Sequence, residues 1–361
     1  MVPIGSTVVL WDAYGVPEAH SGIGRYSFNV CRALEGLNCQ LNPLVGLQKG
    51  KAALYSELLR KSRVAWNLRL GSLLSAYRKR FPETKLIYHG FSNTNMPSRI
   101  ESAGDFASLI TVHDIIPILY PRSVSWKLFL EMKLILRKSL DLVDGVVCVS
   151  DWTRNQLIDL YNIPQERVFV IPNGFPQYRP RVFMADDGFV NITTISRFES
   201  YKNFHFIGTL LKKNRVFRWR VVTDQRGSKF LQSCCATEIM QGRLSISVGV
   251  SDAELDKIYQ NTHVYASLSS AEGFCLPVSE AISRNIPVVF MKGSGVEETA
   301  GNIVSVGLPG DSSFGDWSDA VLMAYDRNRQ TDFVDKGRKY HEKKLSWGDV
   351  GEKLKRLYDT I

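Results

Sequence analysis

The chain has 361 residues, enough for two domains of ordinary size, and its 44% hydrophobic and 22% charged residues are the balance of a soluble globular protein. No run approaches the ~18 to 20 unbroken apolar residues of a membrane span, and the start, MVPIGSTVVLWDAYG, lacks the basic region, apolar core and cleavage site of a secretory signal. Six scattered cysteines (31, 39, 148, 234, 235 and 275) form no C-x-x-C or zinc spacing and predict free thiols in a reducing cytoplasm, while a net charge of +9 suits a polyanionic partner: nucleic acid, an anionic membrane or a phosphate-bearing substrate.

Apolar β-branched runs alternate with amphipathic segments, which predicts βαβ units and mostly parallel sheets. In the first half, strands are expected at Thr7–Trp11, Leu41–Leu47, Leu86–His89, Ser108–Val112, Gly145–Val149 and Val168–Ile171. After the first of them comes Ser21-Gly22-Ile23-Gly24-Arg25-Tyr26. Gly22 and Gly24 would allow a ligand close to the backbone, although a tight strand-to-helix connection uses the same G-x-G. From Leu58 to Pro82 there is no acidic residue, but Arg60, Lys61, Arg63, Arg69, Arg78, Lys79 and Arg80 fall there, with Trp66, Leu70, Leu73, Leu74 and Tyr77 at helical spacing. Such a helix can lie on an anionic membrane, and a core-packing helix with a solvated basic face has the same pattern. His113, in Thr111-Val112-His113-Asp114, stands at the carboxyl end of a strand, where a site would be; a lone His is more often structural.

Proline, glycine and acidic residues gather at about 173–188 and predict the linker. Domains are expected at 1–174 and 175–340, with 341–361 a C-terminal helix returning to the first. In the second half, strands are expected at Val190–Ser196, Arg218–Val222, Leu244–Val248, Val264–Leu268, Pro287–Met291 and Ile303–Val306. The fold class is α/β: two doubly wound Rossmann-like domains facing across a cleft, with ligands beyond the carboxyl ends of the strands.

The strongest chemical pattern is Glu272-Gly273-Phe274-Cys275-Leu276-Pro277-Val278-Ser279-Glu280. It follows a strand and enters a helix expected from Leu276 to about Arg284, with Pro277 in the first turn, where a missing N–H costs nothing. Gly273 permits a tight turn, and the N–H groups of Phe274, Cys275 and Leu276 would point at an anion. Glu272 and Glu280 then flank that pocket, as a nucleotide sugar with hydroxyls on both sides of its diphosphate requires. The plainer reading is a strand–loop–helix whose glutamate complements the helix dipole. Arg197 and Lys202, in Ser196-Arg197-Phe198-Glu199-Ser200-Tyr201-Lys202-Asn203, bring cations that a leaving nucleoside diphosphate needs, although a solvated loop is the commoner fate of such residues.

In order along the chain, SGIGRY (21–26), TVHDIIP (111–117), VSDWTRNQL (149–157), RVFVIPNG (167–174), SRFESYKN (196–203), VGVSDAELDKIY (248–259), EGFCLPVSEA (272–281), NIPVV (285–289) and SGVEETAG (294–301) resemble glycosyltransferase family 4, of the GT-B fold. The likeness spans nearly the whole chain, and Ser251 with Glu254 matches a helix start of that family. The resemblance implies a retaining hexosyltransferase with an oxocarbenium-like transition state, in which a leaving phosphate oxygen deprotonates the acceptor. By it, Arg197 and Lys202 bind the donor diphosphate, Glu272 the donor sugar and Glu280 the ribose. The backbone at Gly273, Phe274, Cys275 and Leu276 holds phosphate and sugar, Gly22 and Gly24 close on the diphosphate, and His113 stands near the reacting carbon. One departure is Cys275, where the family usually has glycine. SGIGRY with HDIIP is most similar to bacterial mannosyltransferases of O-antigen and other surface polysaccharides. That implies GDP-mannose as donor and a polyprenyl-diphosphate-linked glycan as acceptor; the expected place is the cytoplasm, peripheral on the inner face of the cytoplasmic membrane if 58–82 is a docking segment rather than a core-packing helix. No cofactor is expected. The sequence has no D-x-D, so Arg197 and Lys202 stand in for a metal. Other readings are another UDP- or dTDP-linked sugar, a nucleotide-sugar 2-epimerase, a non-catalytic nucleotide-sugar or glycan binder, and, least supported for want of a recognition motif, nucleic-acid binding.

Overall fold

The computed structural model describes residues 7–12, 21–37, 39–45, 78–79, 82–93, 106–177, 187–302, 305–328 and 331–361. It divides into two units, Met1–Gly174 with Leu345–Ile361, and Phe175–Lys344. All twelve expected strands are present, with ends that move by one or two residues: β1 Thr7–Asp12, β2 Gln40–Val45, β3 Lys85–Gly90, β4 Phe106–Val112, β5 Gly145–Cys148 and β6 Val168–Val170 in the first unit. In the second are β7 Val190–Ile195, β8 Phe217–Thr223, β9 Leu244–Val248, β10 Val264–Ser267, β11 Val288–Met291 and β12 Ser305–Leu308. Every strand pair is parallel.

The first sheet runs β2-β1-β3-β4-β5-β6 and is covered on both faces. Alternate residues of one strand go to opposite sides. Leu109 and Val147 pack with Tyr26, Val30 and Leu34, whereas Ile110, Val112, Val146 and Cys148 pack with Met132, Leu136, Leu140 and Leu157. The helix Trp347–Thr360 belongs to the first of these layers, through Val350, Leu354, Leu357 and Tyr358. Ser346 and Asp349 form its capping box, which fixes where the helix starts. Residues 341–344 stay with the second unit, so the return expected from 341 starts at Leu345.

The second sheet runs β12-β11-β10-β7-β8-β9. Its first and fourth strands, β7 and β10, are neighbours, with Ile192 opposite Val264. The chain winds outward in both directions from this pair, so the connections after β7 and after β10 part there and leave a crevice at the carboxyl edge. One face is packed by Ile192, Trp219, Val221, Val264, Ala266 and Val289 against Ile207, Leu210, Leu211, Trp317 and Val321. All six cysteines are free thiols. Among the described residues, no helix is long and apolar enough to cross a membrane. Of the basic segment 58–82, only Arg78, Lys79 and Pro82 are described. Arg78 is bound inward: its guanidinium donates to the Thr84 carbonyl at 3.0 Å and lies 5.5 Å from the Phe106 ring centroid.

Candidate active site

The crevice of the second unit brings together Lys202 and Glu272, two of the expected residues. After β7 the chain passes Arg197 and makes a 3-10 turn at Ser200–Lys202, which ends on Asn203 in the left-handed region, φ 52°. Asparagine tolerates that conformation, and here its amide does further work. Asn203 Nδ2 donates to the Leu268 carbonyl at 2.9 Å and to Ser270 Oγ at 2.8 Å, while the Ser270 N–H donates to the Tyr201 carbonyl at 2.8 Å. The turn after β7 is thereby fastened to the loop after β10. Lys202 is delivered to Glu272, with Nζ 2.5 Å from Oε1 and the two side chains 11% and 14% exposed. Burial alone would lower the ammonium's pKa, but the adjoining Glu272 carboxylate overrides it and holds Lys202 above its ordinary value. Lys202 is therefore a permanent cation in a site with little water to screen it.

The loop 272–275 is clamped from the helix Gly295–Ala300, which follows β11. The Gly295 N–H donates to the Glu272 carbonyl at 2.9 Å, and Thr299 Oγ1 donates to the Phe274 carbonyl at 2.5 Å. The backbone N–H groups of Phe274, Cys275 and Leu276 find no acceptor among the described residues. The helix they open is Leu276–Ile282, two residues shorter than expected, because Ser283 ends it. Cys275 is its N-cap at φ 68°, a left-handed conformation in which an L side chain is strained by roughly 1–2 kcal/mol. Burial pushes its thiol up and makes it a poor nucleophile. Cys275→Gly is thus expected to keep activity and to change stability by less than about 1 kcal/mol, since relieved strain offsets glycine's chain entropy. The β-branched Cys275→Val should cost more than about 2 kcal/mol. Equal melting temperatures for the two variants would contradict the strained geometry.

Glu280 lies one turn into the helix, buried, with Oε2 accepting from Tyr259 Oη at 2.8 Å. Burial and the Glu280 charge together hold the Tyr259 hydroxyl well above its usual pKa, so it remains a donor that orients the carboxylate. Arg197 lies in the loop after β7, exposed, and its guanidinium has no partner among the described residues. Lys202, Glu272 and the 274–276 backbone are thus assembled, Glu280 is held nearby on the same helix, and Arg197 is not drawn into the group.

Sequence reading missed four residues here. Asn203 is the fastener described above. Tyr265, hidden in a strand pattern, donates to the Ile195 carbonyl at 3.3 Å and feels the charges of Glu272 and Glu280. Thr223, at the end of β8, and Ser294, after β11, each bury a hydroxyl that has no hydrogen-bond partner among the described residues. Their signal in sequence was only a Ser or Thr just beyond a strand, which most parallel sheets show.

In the first unit, Gly22 and Gly24 form the first turn of the helix Gly22–Gly36, capped by Ser21 Oγ, which accepts from the Gly24 N–H at 3.0 Å. The glycine segment is thus a helix start rather than a free turn. His113 is buried against Tyr26, ring centroids 4.7 Å apart, and its Nε2 donates to the Phe91 carbonyl at 3.0 Å. Below it, His89 Nε2 is 2.9 Å from Thr111 Oγ1 and its Nδ1 is 2.7 Å from Tyr358 Oη. Burial pushes His113 down to about 4, and burial with the neighbouring His113 pushes His89 down to about 3. Both are neutral when folded and take up protons near pH 6.5 when unfolded. Their contribution is therefore whole above pH 6.5 and is lost as pH falls toward 4 and 3, at up to about 1.4 kcal/mol per pH unit for each. Denaturant titrations followed by circular dichroism should show stability falling from pH 6.5 to 4, with a shallower fall in His89→Gln. A pH-independent midpoint would contradict the two buried neutral rings.

The family model "Glycosyltransferase Family 4" matches residues 20–177, and "Glycosyl transferases group 1" matches 182–337. The chain is 26% identical over 330 residues to O-antigen chain mannosyltransferase B of Escherichia coli, covering 81% of this chain and 84% of that protein. It is 26% identical over 194 residues to O-antigen chain mannosyltransferase RfbU of Salmonella typhimurium, covering 50% of each. Among solved structures, sucrose-phosphate synthase from Thermosynechococcus elongatus has a TM-score of 0.73 at 14% identity, covering 98% of both chains. Anabaena HepE in complex with UDP has a TM-score of 0.70 at 13% identity, covering 98% of this chain and 100% of that one. With a family 4 domain followed by a group 1 domain on two parallel-sheet units, the chain belongs to the GT-B glycosyltransferases.

Proposed function

We propose that the chain is a retaining hexosyltransferase that moves mannose from GDP-mannose onto a growing, polyprenyl-diphosphate-linked surface glycan at the inner face of the cytoplasmic membrane. The observation that carries the reading is the buried Lys202–Glu272 pair at the β7–β10 crevice, beside three unspent backbone N–H groups. In this reading the diphosphate lies on those N–H groups, with Lys202 and Arg197 balancing the charge that grows as the glycosidic bond breaks. Glu272 accepts from donor-sugar hydroxyls, and Glu280, oriented by Tyr259, accepts from the ribose. Gly22 and Gly24 close on the diphosphate, and His113 stands on the acceptor side near the reacting carbon. A leaving phosphate oxygen takes the acceptor proton on the face that sugar and phosphate share, so configuration is kept. Mannose is supported by the likeness to the O-antigen chain mannosyltransferases of Escherichia coli and Salmonella typhimurium.

Calorimetry with GDP, UDP, ADP and their sugars tests the donor. GDP and GDP-mannose are expected to bind at least about tenfold more tightly than the others, equivalent to ~1.4 kcal/mol. Tighter binding of UDP sugars would replace the donor while leaving the site intact. Because lysine and arginine carry the leaving-group charge, transfer should be unchanged after exhaustive dialysis against EDTA; loss of transfer, restored by a divalent ion, would contradict that.

A further inference from the structure

The first unit carries a second chemical surface, on the helical segment that follows β4. Its helical segment Trp126–Glu131 continues through a π-turn at Met132–Leu136 into Arg137–Leu142. Met132, Leu136 and Leu140 face the core. On the other side Trp126 is 71% exposed and Leu134 65%. Eight residues along a straight α-helix would leave Trp126 and Leu134 about 80° apart, and the π-turn that begins at Met132 takes back part of that. Between and beside them Lys127, Lys133 and Lys138 are exposed. Lys133 leans over the Phe129 ring, 5.7 Å from its centroid, and Arg137 is paired with Asp141 at 3.4 Å.

We propose that this face, Trp126 and Leu134 ringed by the three lysines, docks the first unit on an anionic lipid bilayer. An exposed tryptophan beside a leucine is apolar below and polar at the indole N–H, which suits the headgroup boundary. Lysines around it lay their stems on the apolar patch and hold their ammonium groups at anionic headgroups. Charge also decides against a second copy of the chain. A two-fold contact would set the same cations against each other, and the whole chain carries +9. The docking surface extends the proposed lipid-linked acceptor and is distinct from 58–82, most of which lies outside the described residues.

The test is co-sedimentation of the full chain, without donor, with phosphatidylcholine vesicles that contain or lack phosphatidylglycerol. Wild type is expected on the anionic vesicles only, with binding that weakens as salt rises. Trp126→Ser/Leu134→Ser and Lys127→Glu/Lys133→Glu/Lys138→Glu should each weaken it at least about tenfold, with unchanged melting because every altered side chain is exposed. Turnover on a water-soluble acceptor should be unchanged in both, so docking and glycosyl transfer can fail separately. Failure of wild type to bind, or unchanged binding in both variants, overturns the proposal. So does loss of self-association in the first variant with vesicle binding intact, which would make the face a contact between copies.

Discussion

Lys202→Met is expected to lower kcat by about 10²–10³-fold, the usual consequence of removing one donor to a developing negative charge. The geometry leaves a competing account in which Lys202 and Glu272 are only a structural ion pair. Removing one partner then costs stability, because it strands a buried carboxylate: about 3–5 kcal/mol for a fully buried pair, and less here, where each side chain keeps some exposure. The two accounts separate in Lys202→Met/Glu272→Met. Replacing both charges by apolar groups of similar volume removes the stranded charge, so stability should recover in either account. If the pair is structural, activity recovers with it. If Lys202 bears leaving-group charge, the double variant folds and does not turn over. Thermal melts beside steady-state rates read both outcomes.

Gly295→Ala should be nearly as damaging although it touches no substrate. A Cβ at Gly295 would stand 2.0 Å from the Gly273 carbonyl oxygen and 2.9 Å from that of Glu272. Both atoms are backbone, so no side-chain rotation relieves the clash and the 272–275 loop must move. A shift near 1 Å is enough to misplace the unspent N–H groups and the Glu272 carboxylate, at a cost of about 10² in turnover. Overpacking of this kind costs roughly 1–3 kcal/mol of stability. Circular dichroism and donor calorimetry should show a folded protein with weakened donor binding. Wild-type kinetics in Gly295→Ala would mean the loop is not held as described.

The architecture was legible in the sequence because parallel strands buried on both faces read as unbroken apolar runs. Leu244–Val248 has the same ends in sequence and structure, and the others differ by one or two residues, as where Asp12 lengthens β1 by pairing with Gly90. Glu272, Lys202 and Glu280 were legible because carboxylates and cations gather just beyond strand ends at recognisable spacing. Asn203, Tyr265 and Ser294 were not, because their value lies in partners 60 or more residues away or in a missing partner: the Asn203–Ser270 bond spans 67 residues. Cys275 was legible as a departure from glycine, but its left-handed φ is a property of the folded loop. The exposed pair Trp126 and Leu134 had no signal in the sequence, because the hydrophobic pattern does not mark the π-turn at Met132–Leu136.

The central claim is that the β7–β10 crevice is a donor site whose chemistry is glycosyl transfer. Single-turnover transfer of mannose from GDP-mannose to a polyprenyl-diphosphate-linked acceptor, with the anomeric configuration read by NMR, tests it most directly. The account predicts an α-linked product from the α-linked donor, formed by wild type and lost by about 10²-fold or more in the folded Lys202→Met/Glu272→Met variant. A β-linked product, or wild-type rates in that variant, would contradict it.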